Sequence, residues 1–449
     1  MTQSLTMSVA QYASSTSIQK IPAKVRELGK QVLFDEMASA HFGRRSIGGD
    51  LAARYVSSLG GPEEALVLGT RLRVPAPHAA LANGAAGHGE EVDGTHVIGG
   101  HPGATLVHAL MAVAQRQRSS GAELLNALTL SYDIAIRLVR ACGEKFAMKG
   151  RHHLYSDFLF SLGAASGACR LLGLEPIRHC YAMALATFQT NALAALYAES
   201  RHISKSFCNG QFASAGVSSA LQSAMGMEGV EDILGMKDGL LQAWGIDGGA
   251  TAVTSGLGED WEIGGSNFKF INAGYPIHSA VEAAMALYRK HRIDPLAISS
   301  VHIGMPEKAM RVVDNREMHN ICVQDMVCAS LVNGGLSLRV LPFPATLDKP
   351  AFAELRARTT VGVDADLERD QPEGRGSVVS ISLRDGTTDS CRIEAPRGHS
   401  RRGEVSWADL SEKWTDGLPG HDVAKMVGLA KRLEELDDCN ELVLAFSLP

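Results

Sequence analysis

Apolar residues recur every three to four positions through the first two-thirds of the chain, a period that predicts helices. IPAKVRELGKQVLFDEMASAHFG has this spacing and ends on a glycine, and LAARYVSSLG, AALANGAAGHGEE, ATLVHALMAVAQRQ and AELLNALTLSYDIAIRLVRACGE repeat it. Alanine and leucine dominate these segments, and β-branched runs are few. LGAASGACRLLGL and QFASAGVSSALQSAMGM put small residues where neighbouring helices can approach closely. Near Gly264 the pattern changes. AISSVHIGMP and GSVVSISLRDGTTDSCRIEAP alternate like strands, with RDGTTD as the hairpin turn, while HSAVEAAMALYRKH and QDMVCASLVNGG read as helices between them. VSWADLSEKW and AKMVGLAKRLEELDD then return to helical spacing. The expected fold is mainly α: a large all-helical domain over 1–266, completed by 399–449, with an inserted smaller α+β lid domain over 267–398. PEGRGS around Gly374 is expected as an exposed loop, and the first ~15 residues as disordered. No internal repeat or low-complexity tract is present.

Composition narrows the class. The chain has 449 residues, 45% hydrophobic and 20% charged, with a net charge of −6. That is ordinary for a globular protein and offers no basic field for nucleic acid or an anionic membrane. No apolar run reaches the ~18 residues of a membrane span, and the N-terminus lacks the basic start and apolar block of a signal peptide. The eight cysteines form no C-x-x-C pair, which makes a zinc site unexpected and fits a reduced, cytoplasmic protein. No G-x-G-x-x-G follows a strand and no Walker loop is present, so no nucleotide cofactor is expected.

Against this background the run HGEEVDGTHVIGGHP, His88 to Pro102, stands out. It gathers His88, His96 and His101 with Glu90, Glu91, Asp93 and Thr95 between apolar flanks. Polar groups there are costly to bury unless they pair or do chemistry, and carboxylate beside imidazole is material for proton transfer near neutral pH. A solvated interhelical loop is the blander reading. The histidine spacing matches no zinc motif, so no metal is expected. Further clusters are Arg151, His152 and His153; Arg201, His202, Lys205, Cys208 and Asn209; Lys269, Tyr275 and His278; and Arg316, His319 and Asp325. Each lies near the start of an expected helix, where backbone N–H groups favour anions. Cations are misplaced there unless an anion lies between, which points to a carboxylate-binding cleft.

In this order the clusters resemble the MmgE/PrpD family. ALANGAAGHGEEVDGTHVIGGHPGATLVHALMAVA is similar to its hallmark run, and GRRSIGGDLAARYVSSLGG, LGAASGACRLLGL, SKSFCNGQFASAGVSSAL, LGMKDGLLQAW and DLSEKW resemble further segments. The resemblance implies a helical domain with an α+β lid, no cofactor, and a homodimer acting on a small carboxylate. By the same resemblance Glu91, Asp93, His101, His153 and Lys205 are expected to be catalytic and Thr95, Lys269 and His152 to bind substrate, and the clusters themselves add Tyr275 and Asp325 as substrate-binding candidates. Glu91 stands where relatives have Asp, and Cys208 replaces a motif histidine. A further histidine and a tyrosine of the decarboxylase pattern fall on Gly274 and Asp325, which argues against cis-aconitate decarboxylation.

The family's common task is removal of a proton next to a carboxylate. The expected activity is that of a hydro-lyase like 2-methylcitrate dehydratase, eliminating water from a hydroxy di- or tricarboxylate. The alternatives are an epimerase of a dicarboxylate such as iminodisuccinate, a cis-aconitate-type decarboxylase, and a non-catalytic binding protein.

Overall fold

A computed structural model of the chain describes residues 3–447 except 192, 202, 245, 247, 339–342, 344 and 371–373. His202 of the second cluster and part of the PEGRGS loop therefore lie outside the described residues. Helices dominate, with a small mixed sheet towards the C-terminal end. The backbone divides into two compact units. The first comprises 1–199, 203–266 and 422–449; the second comprises 200–202 and 267–421.

The first unit is built on α1 (Leu5–Ser15), α2 (Ala23–Gly43), α3 (Ile47–Leu59), α4 (Ala76–Gly89), α5 (Pro102–Gln117), α6 (Gly121–Ala141), α7 (Glu144–His152), α8 (Phe160–Leu171), α9 (Pro176–Gln189) and α10 (Ile203–Ala224). The short hairpin β1 (Ala65–Leu66) and β2 (Arg73–Val74) precedes α4, β3 (Thr95–His96) lies between α4 and α5, and the two-residue β4 (Ser266–Asn267) follows later in the chain. α5 is buried almost end to end, from Pro102 to Gln115. Small residues set the closest helix approach. A Cβ on Gly84 of α4 would come within 2.9 Å of Gly210 Cα, and one on Gly210 of α10 would lie 2.2 Å from the Leu81 carbonyl. Two helices that close admit no side chain between them, and this brings Lys205, early in α10, to the end of α4 where His88 sits. The N-terminal segment is helical, not disordered. Tyr12 donates to Asp133 Oδ2 at 2.5 Å and the Thr6 hydroxyl to Asp232 Oδ1 at 2.8 Å, and these distant partners pin α1.

The second unit has a four-stranded sheet in the order β6–β5–β7–β8: β5 (Ile298–Met305), β6 (Thr359–Val363), β7 (Ser377–Leu383) and β8 (Thr388–Ile393). β5 runs parallel to β6 and antiparallel to β7, and β7–β8 is the hairpin expected from RDGTTD. Val301, Ile303, Val379 and Ile381 share a core with Ala280, Val281, Ala284 and Leu287 of the helix His278–His291 and with Met326 and Val327 of the helix Val323–Asn333. The chain returns to the first unit at Asp422, not at 399. The helix Trp407–Gly417 stays with the second unit because Arg397 bonds Asp409 at 2.7 Å and Glu412 at 3.0 Å, while Lys413 lies over the Phe270 ring. Gly374 is buried against Asp370, contrary to an exposed loop. No helix among the described residues is long and apolar enough to cross a membrane.

Candidate active site

Two helix ends and a turn make the site. α4 ends at Gly89, leaving His88 in its last turn. The chain then turns through Glu91, whose φ of 54° is left-handed. Such a backbone costs of order 1–3 kcal/mol for a residue with a side chain and marks a position held by its surroundings. Gly94 N–H donates to Glu36 Oε1 of α2 at 2.8 Å, and Gly99 and Gly100 turn the chain back with φ of 94° and 90°. His101 caps α5, followed by Pro102 at the position where a missing N–H costs nothing. Its backbone N–H donates to Asp157 Oδ2 at 3.0 Å, which also accepts from Tyr155 Oη at 2.6 Å.

The side chains close into a ring of five buried groups. His88 Nδ1 lies 2.9 Å from Asp93 Oδ2, and His101 Nδ1 also lies 2.9 Å from that oxygen. His101 Nε2 is 3.5 Å from Lys205 Nζ, which donates to Glu91 Oε1 at 3.4 Å. Glu91 Oε1 is in turn 3.1 Å from His88 Nε2. Burial works against charge on His88, but Asp93 and Glu91 outweigh it and raise its pKa. Burial pushes His101 down to about 3; Asp93 opposes this, and His88 and Lys205 add to it. Burial thus favours the neutral imidazole at His101, beside a His88 whose pKa its two carboxylates raise.

The other expected residues are placed as follows. Thr95 is buried in β3. His96 Nε2 donates to the Glu262 backbone carbonyl at 2.7 Å, and burial holds its pKa at about 4, which makes it a packing histidine. His153 is exposed with φ of 56°, and His152 is half-buried with its ring 6.4 Å from Trp244. Burial, reinforced by Glu199, raises the Cys208 thiol pKa, unlike an activated nucleophile. In the second unit Lys269 is fully buried and Tyr275 stacks on His399. Asp325 accepts from His319 Nδ1 at 2.7 Å and Arg356 Nε at 2.5 Å, so its carboxylate is already engaged.

Sequence reasoning named His88 but gave it no role, and it missed Glu36 and Asp157. The available signal was two adjacent carboxylates, Asp35 and Glu36, inside an apolar helix, and an aspartate two residues after Tyr155. Donor atoms of His88, Asp93 and His101 lie within 4.8 Å of one another, a set able to hold a metal ion. Zinc-motif spacing could not reveal it, because the set joins a helix end to a loop.

Residues 7–250 match the MmgE/PrpD N-terminal domain and residues 272–439 the MmgE/PrpD C-terminal domain. The chain is 24% identical over 477 aligned residues to the cis-aconitate decarboxylase of Homo sapiens, covering 100% of this chain and 96% of that protein. To the cis-aconitate decarboxylase of Mus musculus it is 26% identical over 400 residues, 82% of this chain and 78% of that protein. The polar ring falls within the first of the two matched domains, and the chain belongs to the MmgE/PrpD family.

Proposed function

We propose that this protein is a cofactor-independent carbon–oxygen lyase that removes a proton alpha to a carboxylate and eliminates water from a small hydroxy di- or tricarboxylate. One observation carries the reading: the His101 imidazole, with Nδ1 3.2 Å from the Gly94 carbonyl and 2.9 Å from Asp93 Oδ2, presents Nε2 3.5 Å from the Lys205 ammonium. Nε2 takes the proton from carbon. The released electron pair moves into the carboxylate, and Lys205 stabilises that developing charge, an effect concentrated in the transition state. The pair then expels the β-hydroxyl, which takes the proton that His101 Nε2 has accepted and leaves as water, returning His101 to its neutral form. An arriving substrate brings negative charge, which Lys205 attracts and which makes His101 more basic than in the empty ring.

A cis-aconitate-type decarboxylase is the second reading, favoured by the activity of the two relatives, both cis-aconitate decarboxylases. One assay in deuterated water separates the readings, using 2-methylcitrate, citrate, cis-aconitate and epimerisable amino-dicarboxylates. Alkene absorbance is expected. Carbon dioxide from cis-aconitate would mean the decarboxylase, deuterium entry without alkene an epimerase, and inertness across a broad acid panel a binding protein. Dialysis against a chelator should leave turnover unchanged, because Lys205 supplies the positive charge a metal would bring. A loss restored by one divalent metal would overturn the cofactor-independent reading and assign an ion to His88, Asp93 and His101.

A further inference from the structure

One turn along α10 from Lys205 the chain buries a carboxamide. Asn209 follows Lys205 by four residues, so the two side chains share a face of that helix. Thr105 follows His101 by the same interval on α5. The contacts repeat in step: His101 Nε2 lies 3.5 Å from Lys205 Nζ, and one turn on the Thr105 hydroxyl donates to the Asn209 carbonyl at 3.3 Å. Side chains on a helix lean towards its N-terminus, which tilts Asn209 back towards Lys205 and the ring. Asn209 is fully buried, yet among the described residues neither its Oδ1 nor its Nδ2 has a hydrogen-bond partner. Asn126 and Gln115 each keep one end of a buried amide engaged: Asn126 Nδ2 donates to the Thr16 carbonyl at 3.2 Å, and Gln115 Oε1 accepts from Leu66 N–H at 3.0 Å. An amide buried with both ends open destabilises the free protein, and the cost is offset only when a polar partner arrives.

We propose that Asn209 forms a subsite for the substrate's hydroxyl group and so selects hydroxy acids over acids that lack one. The subsite deepens the lyase reading and rests on it for the role of that hydroxyl. The ring offers an ammonium for a carboxylate and an imidazole for a proton. Its own carboxylates are engaged, Glu91 with Lys205 and Asp93 with the two imidazoles. A hydroxyl both donates and accepts, and so does a carboxamide. The hydroxyl donates to Oδ1 and accepts from Nδ2–H. As the carbon–oxygen bond breaks, charge builds on that oxygen and the Nδ2–H contact strengthens. Asn209 stays neutral and transfers no proton; the proton that leaves with the oxygen is the one His101 took from carbon. Attraction of the acid stays with Lys205, and preference for the hydroxyl lies one turn further along the same face.

Two pairs of acids that differ only in a hydroxyl test this with the full chain: citrate against tricarballylate, and malate against succinate. Calorimetric titration of the wild type should show at least one hydroxy acid binding about tenfold or more tighter than its partner, the scale of one hydrogen bond. In Asn209→Leu, which has a similar shape and no polar atom, that ratio should fall to near one, while the acid without the hydroxyl binds as before. Asn209→Ala should give the same ratio and decides the matter if the leucine variant does not fold. A wild type without the preference, or one that binds none of the four acids, overturns the subsite. So does a preference that survives in the variants. If both members of a pair weaken equally and the melting temperature falls, the amide only holds a buried water or packs the helix, and the proposal is equally overturned. Alkene formation by the wild type judges the lyase reading separately. Alkene without a hydroxyl preference removes the subsite and keeps the lyase. A preference that Asn209→Leu abolishes, with no alkene formed, keeps the subsite and removes the lyase.

Discussion

His101 and Lys205 share one contact and should fail differently when removed. Loss of a general base typically costs ~10²–10⁴-fold in rate. His101→Ala should therefore abolish most turnover with an unchanged melting transition, because its side chain sits at a helix cap and not in a packed apolar face. Lys205→Ala should lower kcat and also raise KM, because an ammonium attracts a carboxylate in the ground state and the transition state alike. Steady-state kinetics with thermal melts on both variants check this. Near-normal turnover in His101→Ala would move the base elsewhere, with exposed His153 the next candidate. At this scale the sequence shows the reactive material, because Glu91, Asp93, His101 and Lys205 are polar residues in apolar surroundings. It does not show the ring. Asp157 and Glu36 reach the loop from other segments, and the pairing of His88 with two carboxylates depends on the left-handed turn at Glu91.

The elements that aim His101 are the end of α4, the glycine turn and the start of α5. Gly100 is held by both backbone and space: with φ of 90°, a Cβ there would stand 2.8 Å from Asp157 Oδ1 and 2.9 Å from the Phe160 ring. Gly100→Ala should destabilise the fold by about 1–3 kcal/mol for the strained backbone alone and push Asp157 off the His101 N–H. A urea midpoint equal to wild type, with full activity, would show that the turn tolerates a side chain. The helices were legible because one period runs through each, and the β7–β8 hairpin because alternation flanks a turn sequence. β6 was not. Its TTVGV is five residues long and pairs in parallel with β5 across an intervening helical stretch, a long-range match with no local signature. α1 escaped for a similar reason, since its anchors Asp133 and Asp232 lie far along the chain.

Across the whole molecule, the buried histidines tie stability to pH. Burial holds His96 and His179 at about 4 and His101 and His108 at about 3, all below the ordinary 6.5. Between those values and 6.5 the unfolded chain binds protons that the folded chain refuses, so each such group removes stability as pH falls through that window, by up to about 1.4 kcal/mol per pH unit. Two groups run the other way. Burial lifts Asp133 from 3.8 to about 7, so its contribution is present in acid and is lost as pH rises through 7. The raised pKa of His88 likewise adds stability below 6.5 that is lost as pH climbs through its folded value. Between pH 4 and 6.5 four histidines lose stability as pH falls against Asp133 alone, which sets the balance towards acid sensitivity, and above 6.5 His88 removes stability as pH rises. The melting temperature should therefore peak near neutral pH and fall clearly between pH 6.5 and 4. All six groups belong to the first unit, so its transition should move first. Calorimetry in steps of half a pH unit tests the argument. A melting temperature that is flat from pH 7 to pH 4.5 would mean that these histidines take up protons in the folded protein, and the neutral state assigned to His101 would fall with it.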